Sequence, residues 1–274
     1  MDPEISQAIG PNTEDLALRE EIARLRASLT ALLLQKDELV LIQCKRIESA
    51  YLRRFGALEL RVYETWCACL RAKKKAKLVR ASVNRREQAD LNQIEESLDR
   101  DLERYRRELE ERFNRVSGVN QGRQGPGLSA AGTKELKSLY RQAVKALHPD
   151  LHPRQDENRT QALDRAMRAY RSGDLETLRA VCETLEAPAE AEVDGLEALR
   201  AEAARLRRSV REIDRQLEAV KAQYPYNVRV YLEDPERGSA REAELRAQLR
   251  ELQTRAASYE AAIAAMLSTE EEEP

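Results

Sequence analysis

The sequence predicts an all-α protein in which elongated helical or coiled-coil arms flank a small helical hairpin. Charged residues make up 35% of the 274 residues and aromatic residues only 4%, which favours long, solvated helices over a large mixed core. Apolar side chains recur at intervals of three and four residues along most of the chain. Only 10 glycines and 9 prolines interrupt this pattern, and five of the glycines lie together in residues 117–132.

Residues 1–116 are predicted to form an N-terminal helical or coiled-coil domain. An apolar heptad runs from about residue 13 to 54, so this helix needs a partner along a narrow seam. We expect a break at Phe55 and Gly56, and a later helix whose apolar positions run from Leu91 to Val116. These helices either fold back on one another or pair with a second copy of the chain.

The rest of the chain is predicted to contain a linker, a module and a coiled coil. Residues 117–132 form a flexible linker, because a glycine-rich backbone is costly to confine in a helix or a sheet. Residues 133–187 form a compact helical module. Residues 188–274 contain two apolar seams that predict an antiparallel coiled-coil hairpin with a loop at about 225–239, and a homodimer through the coiled coils is the alternative.

The helical module carries the residues that point most directly to a function. Lys137, Arg141 and Lys145 recur every four residues on one side of its first helix, and we call them the basic face. Pro149 disfavours helical geometry at His148, so this helix ends there and a second helix returns as an antiparallel hairpin. The apolar residues expected to pack this hairpin are Leu136, Tyr140, Val144, Leu147, Leu163, Met167 and Tyr170.

His148, Pro149 and Asp150, the tripeptide loop, are therefore expected at the tip of the hairpin. Tyr140 lies eight positions before His148, the preceding helix is basic, and Tyr170 ends the returning helix. With these features together, the module resembles the J domain of DnaJ-type co-chaperones.

This resemblance implies both a partner and a role for each group of residues. It implies that the basic face steers and holds a DnaK-type heat-shock chaperone, and that the tripeptide loop triggers ATP hydrolysis by that chaperone. The ATPase chemistry would belong to the partner. The chain itself is therefore expected to be no enzyme and to need no cofactor.

The flanking segments resemble those of specialised bacterial J-domain proteins with coiled-coil arms. The resemblance lies in residues 56–59 (Gly-Ala-Leu-Glu), 224–227 (Tyr-Pro-Tyr-Asn) and 232–234 (Leu-Glu-Asp). The zinc-binding cysteine repeats of general-purpose DnaJ proteins are absent from the sequence, so the arms are expected to bind one specific, unidentified protein client. Glycine and proline before Thr133 leave no room for the short first helix of a J domain, so the module is either less stable or takes packing from the arms.

A second basic segment supports an alternative function. Residues 71–86 contain eight basic and no acidic side chains, and Lys73, Lys74, Lys75 and Lys77 form a candidate patch that could contact several phosphates. No base-stacking aromatic residues are interleaved, so a solvated face or an acidic protein partner is favoured over nucleic acid. The alternative is a structural coiled-coil adaptor that associates with nucleic acid through this patch.

Metal, catalytic and membrane functions are less favoured by the sequence. His148 and His152 are four residues apart, but Pro149 and Pro153 prevent the regular helix that would align them as metal ligands. No nucleophile elbow, phosphate loop or catalytic triad pattern is present. The N-terminus lacks a signal pattern and no apolar run approaches the roughly 20 residues that cross a bilayer, so a cytoplasmic protein without membrane contact is expected.

Overall fold

The computed structural model describes residues 10–85, 87, 89–121, 128–153, 157–185 and 195–272. These residues contain helices and no β-strand, so the predicted all-α class is confirmed. The first half contains α1 (Gly10–Asp37), the π-helical segment π1 (Glu38–Gln43), α2 (Cys44–Tyr51), the π-helical segment π2 (Leu52–Gly56), α3 (Ala57–Asn84) and α4 (Leu91–Gln121). The second half contains α5 (Ala130–Leu147), α6 (Glu157–Ser172), α7 (Leu175–Glu183), α8 (Leu196–Ala222), a short 3-10 helix (Tyr226–Arg229), α9 (Val230–Glu233) and α10 (Pro235–Glu272).

The chain divides into two compact units, each of which combines segments that are distant in the sequence. Unit 1 consists of Met1–Arg46 and Gln124–Asn227, and unit 2 consists of Ile47–Arg123 and Val228–Pro274. The domains predicted from the sequence were continuous segments. The predicted N-terminal and C-terminal domains therefore each contribute helices to both units.

A parallel pair of helices, α1 and α8, forms the coil of unit 1. Glu14 and Glu21 of α1 form ion pairs with Arg200 and Arg207 of α8, respectively, both at 2.6 Å. Residue numbers therefore increase in the same direction along the two helices. The seam between them is apolar, as the heptad pattern predicts. The buried seam residues are Ile22, Leu29 and Leu33 from α1 and Leu199, Ala203, Leu206, Ile213 and Leu217 from α8.

The two C-terminal arms pair differently from the hairpin predicted within residues 188–274. Helix α8 packs along α1, and α10 packs along α3. Residues 225–239, predicted to be a loop, contain the 3-10 helix, α9 and the start of α10. Asp234 caps α10 by accepting hydrogen bonds from the backbone N–H groups of Glu236 (3.0 Å) and Arg237 (3.2 Å).

In unit 2, α3 packs against both α4 and α10. Its pairing with α4 is antiparallel, with Arg71 bound to Asp99 at 2.7 Å and Lys75 bound to Glu95 at 2.5 Å. Gly56 is not the predicted helix break, because it lies within π2. A Cβ atom at this position would lie 3.1 Å from Cγ2 of Val116, so glycine lets α4 approach closely.

The predicted linker at residues 117–132 is helical at both of its ends. Helix α4 continues to Gln121, and α5 begins at Ala130, where the Ser129 hydroxyl accepts a hydrogen bond from the backbone N–H of Gly132 at 3.1 Å. Residues 122–127 of that linker lie outside the described residues. Across the part of the chain that is described, no helix combines the length and apolarity needed to cross a membrane.

Candidate functional site

Helices α5, α6 and α7 pack on one another as a three-helix module within unit 1. Gly173 ends α6 with a φ of 74°, and the Asp174 carboxylate caps α7 by accepting the Thr177 backbone N–H at 2.9 Å. Met167 is half-buried against the core of the module. The other residues of the expected packing face are buried, namely Leu136, Tyr140, Val144, Leu147, Leu163 and Tyr170.

The basic face lies on the exposed side of α5. The side chains of Lys137, Arg141 and Lys145 are all exposed, and they follow one another at successive turns. Lys137 also contacts π1, where its ammonium lies 3.2 Å from a carboxylate oxygen of Glu38. Two positive side chains thus lie on the turns of α5 nearest the tripeptide loop.

The tripeptide loop begins where α5 ends. The His148 backbone N–H donates to the Val144 carbonyl at 3.0 Å, and His148 itself is extended, with φ −75° and ψ 129°. Its carbonyl then accepts the N–H groups of Leu151 (3.0 Å) and His152 (2.9 Å), which closes a compact turn. The loop therefore lies at the connection between α5 and α6, where the sequence predicts the tip of the hairpin.

The surroundings of the His148 imidazole favour its neutral form. Its side chain is 17% exposed, and Nδ1 accepts the backbone N–H of Asp150 at 3.1 Å, which requires an unprotonated Nδ1. Burial lowers the pKa of His148 below its ordinary value, and the negative charges of Asp150 and Asp37 oppose that shift. Asp150 presents a carboxylate that is 39% exposed.

Two acidic residues at the junction of α1 and π1 bind the module, and sequence analysis missed both. The Tyr140 hydroxyl donates to the Asp37 carboxylate at 2.6 Å, and the Tyr170 hydroxyl donates to Glu38. The two tyrosine rings stack with their centroids 4.1 Å apart. The tyrosines, interpreted from the sequence as packing residues, thus also anchor the module to α1.

Asp37 is the most buried of the acidic side chains at this junction, with 9% of its surface exposed. Burial raises its pKa, whereas the bond from Tyr140 and the charges of Lys36 and His148 lower it. Leucines of α1, Leu29 and Leu33, belong to the same apolar core as the module. The module therefore takes packing from the coil, which is one of the two alternatives that the sequence left open.

Helix α8 reaches the tripeptide loop through Arg205. Its Nη1 donates to the backbone carbonyl oxygen of Asp150 at 2.8 Å. Nε and Nη2 of the same guanidinium each lie 2.8 Å from an oxygen of Glu202. The only local signal for this contact is the spacing of Glu202 and Arg205 three residues apart on one helix, a spacing that is common on solvated helices.

The second basic segment is partly neutralised by α4. Lys74 pairs with Asp101 at 2.9 Å and Lys75 pairs with Glu95 at 2.5 Å, whereas Lys73 and Lys77 are exposed. The four lysines therefore do not form one uniform patch. This arrangement favours a structural role for Lys74 and Lys75.

No group of three histidine, cysteine or acidic side chains within the described ranges is arranged to hold a metal ion. Comparisons of the chain with models of protein families, with curated proteins and with solved structures find no match. A function can therefore be inferred only from the residues of the chain and their geometry.

Proposed function

We propose that the chain is a cytoplasmic J-domain co-chaperone that recruits a DnaK-type chaperone and stimulates its ATP hydrolysis. One observation carries this proposal: the tripeptide loop lies at the connection of the α5–α6 hairpin, directly beside the exposed basic face. A helix stop alone explains Pro149, but it does not explain why three exposed basic side chains on successive turns of α5 precede a partly exposed aspartate.

The charge distribution supports a local docking surface. The chain has a net charge of −2, so long-range attraction to an acidic partner has to come from a local cluster such as the basic face. The loop adds a partly exposed Asp150 carboxylate and a His148 ring whose pKa is lowered by burial. The basic face would govern association with the chaperone, and the loop would act once the complex has formed.

The helices outside the module would bind a specific protein client. The coil of α1 and α8 and the three packed helices of unit 2 offer solvated helical surfaces, and they leave Leu16 and Phe113 more than half exposed. ATP hydrolysis would remain in the chaperone, and the chain would bring chaperone and client together.

Single-turnover ATP hydrolysis by a purified bacterial DnaK-type chaperone tests this proposal. The wild-type chain is expected to accelerate hydrolysis, and His148→Gln and Asp150→Asn are expected to abolish the acceleration. Asp164→Asn is a matched control, because it removes the charge of another exposed aspartate of the same module, on α6. Absence of stimulation by the wild type, or full stimulation by Asp150→Asn, would contradict the proposal.

A structural adaptor that associates with nucleic acid is the second candidate, because Lys73 and Lys77 are exposed on α3. Reversing Lys74 and Lys75 as well would break their ion pairs with α4, so the clean variant is Lys73→Glu/Lys77→Glu. Salt-sensitive binding to DNA or RNA by the wild type, lost in this variant, would support the adaptor. Binding that is unchanged in the variant, or no binding at all, would argue against it.

A further inference from the structure

Arg205 touches the tripeptide loop at a backbone atom and leaves its side chains accessible. Nη1 of Arg205 lies 2.8 Å from the carbonyl oxygen of Asp150. The Asp150 carboxylate is 39% exposed, with one oxygen 3.9 Å from Nδ1 of His148, and Pro149 is exposed. The contact therefore restrains the course of the loop without occupying the groups that would meet the chaperone.

The guanidinium that makes this contact is itself held in one orientation. The Glu202 carboxylate binds it through two bonds of 2.8 Å, and a planar fork bound in this way has little freedom to rotate. Glu202 is 15% exposed and also accepts a hydrogen bond from Arg26 of α1 at 3.4 Å. These bonds keep the pKa of Glu202 below its ordinary value, with the bond from Arg205 as the main cause.

Arg205 adds a further bond to a loop that is already held at both ends. Its first residue is held because the His148 carbonyl accepts two backbone N–H groups, and its end is held because Leu151 is buried in the core. Arg205 binds the Asp150 carbonyl oxygen, which belongs to the same planar peptide as the Leu151 N–H that donates to the His148 carbonyl. Removal of Arg205 would leave this peptide held by the Leu151 bond alone, so the loop and the Asp150 side chain would fluctuate more.

We propose that Arg205, oriented by Glu202, is a positioning residue of the chaperone-binding site: it holds the tripeptide loop in the conformation that triggers ATP hydrolysis. The coil of α1 and α8 is then part of the site and not only a tether. This inference rests on the proposed J-domain function. The opposite role, in which α8 masks the loop, would require α8 to cover the basic face or the Asp150 carboxylate, and these are exposed.

The test is a titration of the chaperone with each variant in single-turnover ATP hydrolysis, which separates the half-saturating concentration from the maximal stimulated rate. Arg205→Ala is expected to lower the maximal rate roughly tenfold, the order of effect of one charge-assisted hydrogen bond, with half-saturation within about twofold of wild type. Arg205→Lys is expected to give an intermediate rate, because an ammonium can reach the carbonyl but cannot also make the fork to Glu202. The control is Arg208→Ala, an exposed arginine on the same helix, which should match wild type.

Amide hydrogen exchange at Leu151 and His152 gives a second readout that needs no chaperone. Exchange there should be faster in Arg205→Ala and unchanged in Arg208→Ala, with the rest of the module as protected as in wild type. If Arg205→Ala loses protection throughout the module, the comparison is made with Arg205→Lys. A maximal rate equal to wild type in the variant overturns the inference, and so does a higher rate, which would mean that α8 masks the loop. Absence of stimulation by the wild type is a separate result, because it rejects the proposed function itself.

Discussion

Replacing Tyr140 with phenylalanine should reveal how strongly the buried carboxylate of Asp37 depends on its partner. The substitution removes a hydroxyl that donates to Asp37 at 2.6 Å and leaves the stacked ring in place. A hydrogen bond to a charged group contributes about 1.5–3 kcal/mol, and an unpaired buried carboxylate also keeps its desolvation penalty. We therefore expect a loss of about 2 kcal/mol in the free energy of unfolding at neutral pH.

The pH dependence of that loss follows from the direction of the Asp37 pKa shift. Burial raises the pKa of Asp37 in the folded protein, so this carboxyl contributes stability that is complete below its unfolded pKa and is lost as pH rises through its folded pKa. The Tyr140 bond opposes that loss, because it favours the ionised form. Tyr140→Phe should therefore be more destabilising at neutral pH than in acid, where a neutral carboxyl makes a weaker bond.

Urea unfolding of four chains measures the effect: wild type, Tyr140→Phe, Asp37→Asn and the double variant. In the Asp37→Asn background the hydroxyl meets a neutral acceptor, so Tyr140→Phe should cost only about 1 kcal/mol. Tyr170→Phe serves as a comparison, because its acceptor Glu38 is more exposed than Asp37 and its loss should be smaller. A loss below about 0.5 kcal/mol for Tyr140→Phe at neutral pH, or an equal loss in both backgrounds, would refute the reasoning.

Three further predictions concern the loop, a helix end and the second basic segment. The pKa of His148, measured by NMR titration of its ring, should lie below 6.5, and Asp150→Asn should lower it further, because the Asp150 charge raises it. A wild-type pKa above 6.5 would show that burial is not the main cause, and a rise in Asp150→Asn would contradict the effect of the Asp150 charge. The pKa of His148 is lower in the folded chain than in the unfolded chain. The contribution of this residue to the free energy of unfolding should therefore be fully present above the pKa of the unfolded chain, and it should decrease as the pH falls toward the pKa of the folded chain. Gly173→Ala should cost about 1 kcal/mol in thermal unfolding, because its φ of 74° is strained for any residue with a Cβ, and an unchanged melting temperature would contradict this. Lys74→Glu should lower the stability measured by urea unfolding by about 0.5 kcal/mol through the lost ion pair with α4, whereas Lys73→Glu should not, and equal effects would remove the distinction between the two lysines.

The features that sequence analysis predicted correctly depend on neighbouring residues. The burial pattern of α5 follows from apolar spacing, and the end of that helix at His148 follows from the steric effect of Pro149 on the preceding residue. Such local signals predicted the elements of the candidate site and the exposure of its basic face.

The partner of each helix, by contrast, cannot be predicted from neighbouring residues, because it depends on which of several similar apolar seams along the chain pack together. The seams of α8 and α10 are similar leucine- and alanine-rich surfaces, so a hairpin between them and separate pairing with α1 and α3 satisfy the same heptad rule. Asp37 and Tyr140 are 103 residues apart, and Asp150 and Arg205 are 55 apart. Their contacts become visible only when the partners of α1 and α8 are known, which is why sequence analysis placed neither Asp37 nor Arg205 in the site.

The polar contacts of unit 1 select one register of its coil. Sliding α1 along α8 by one heptad would keep leucines on the seam and would change the apolar burial little. The same shift would remove Glu21 from Arg207 and would move Asp37 away from the Tyr140 hydroxyl, leaving a buried carboxylate without its donor. The observed register thus places Asp37 and Glu38 under the two tyrosines and, through the same α1–α8 pairing, places Arg205 beside the tripeptide loop. Apolar burial stabilises the coil, and a few buried polar groups determine where along the coil the module sits.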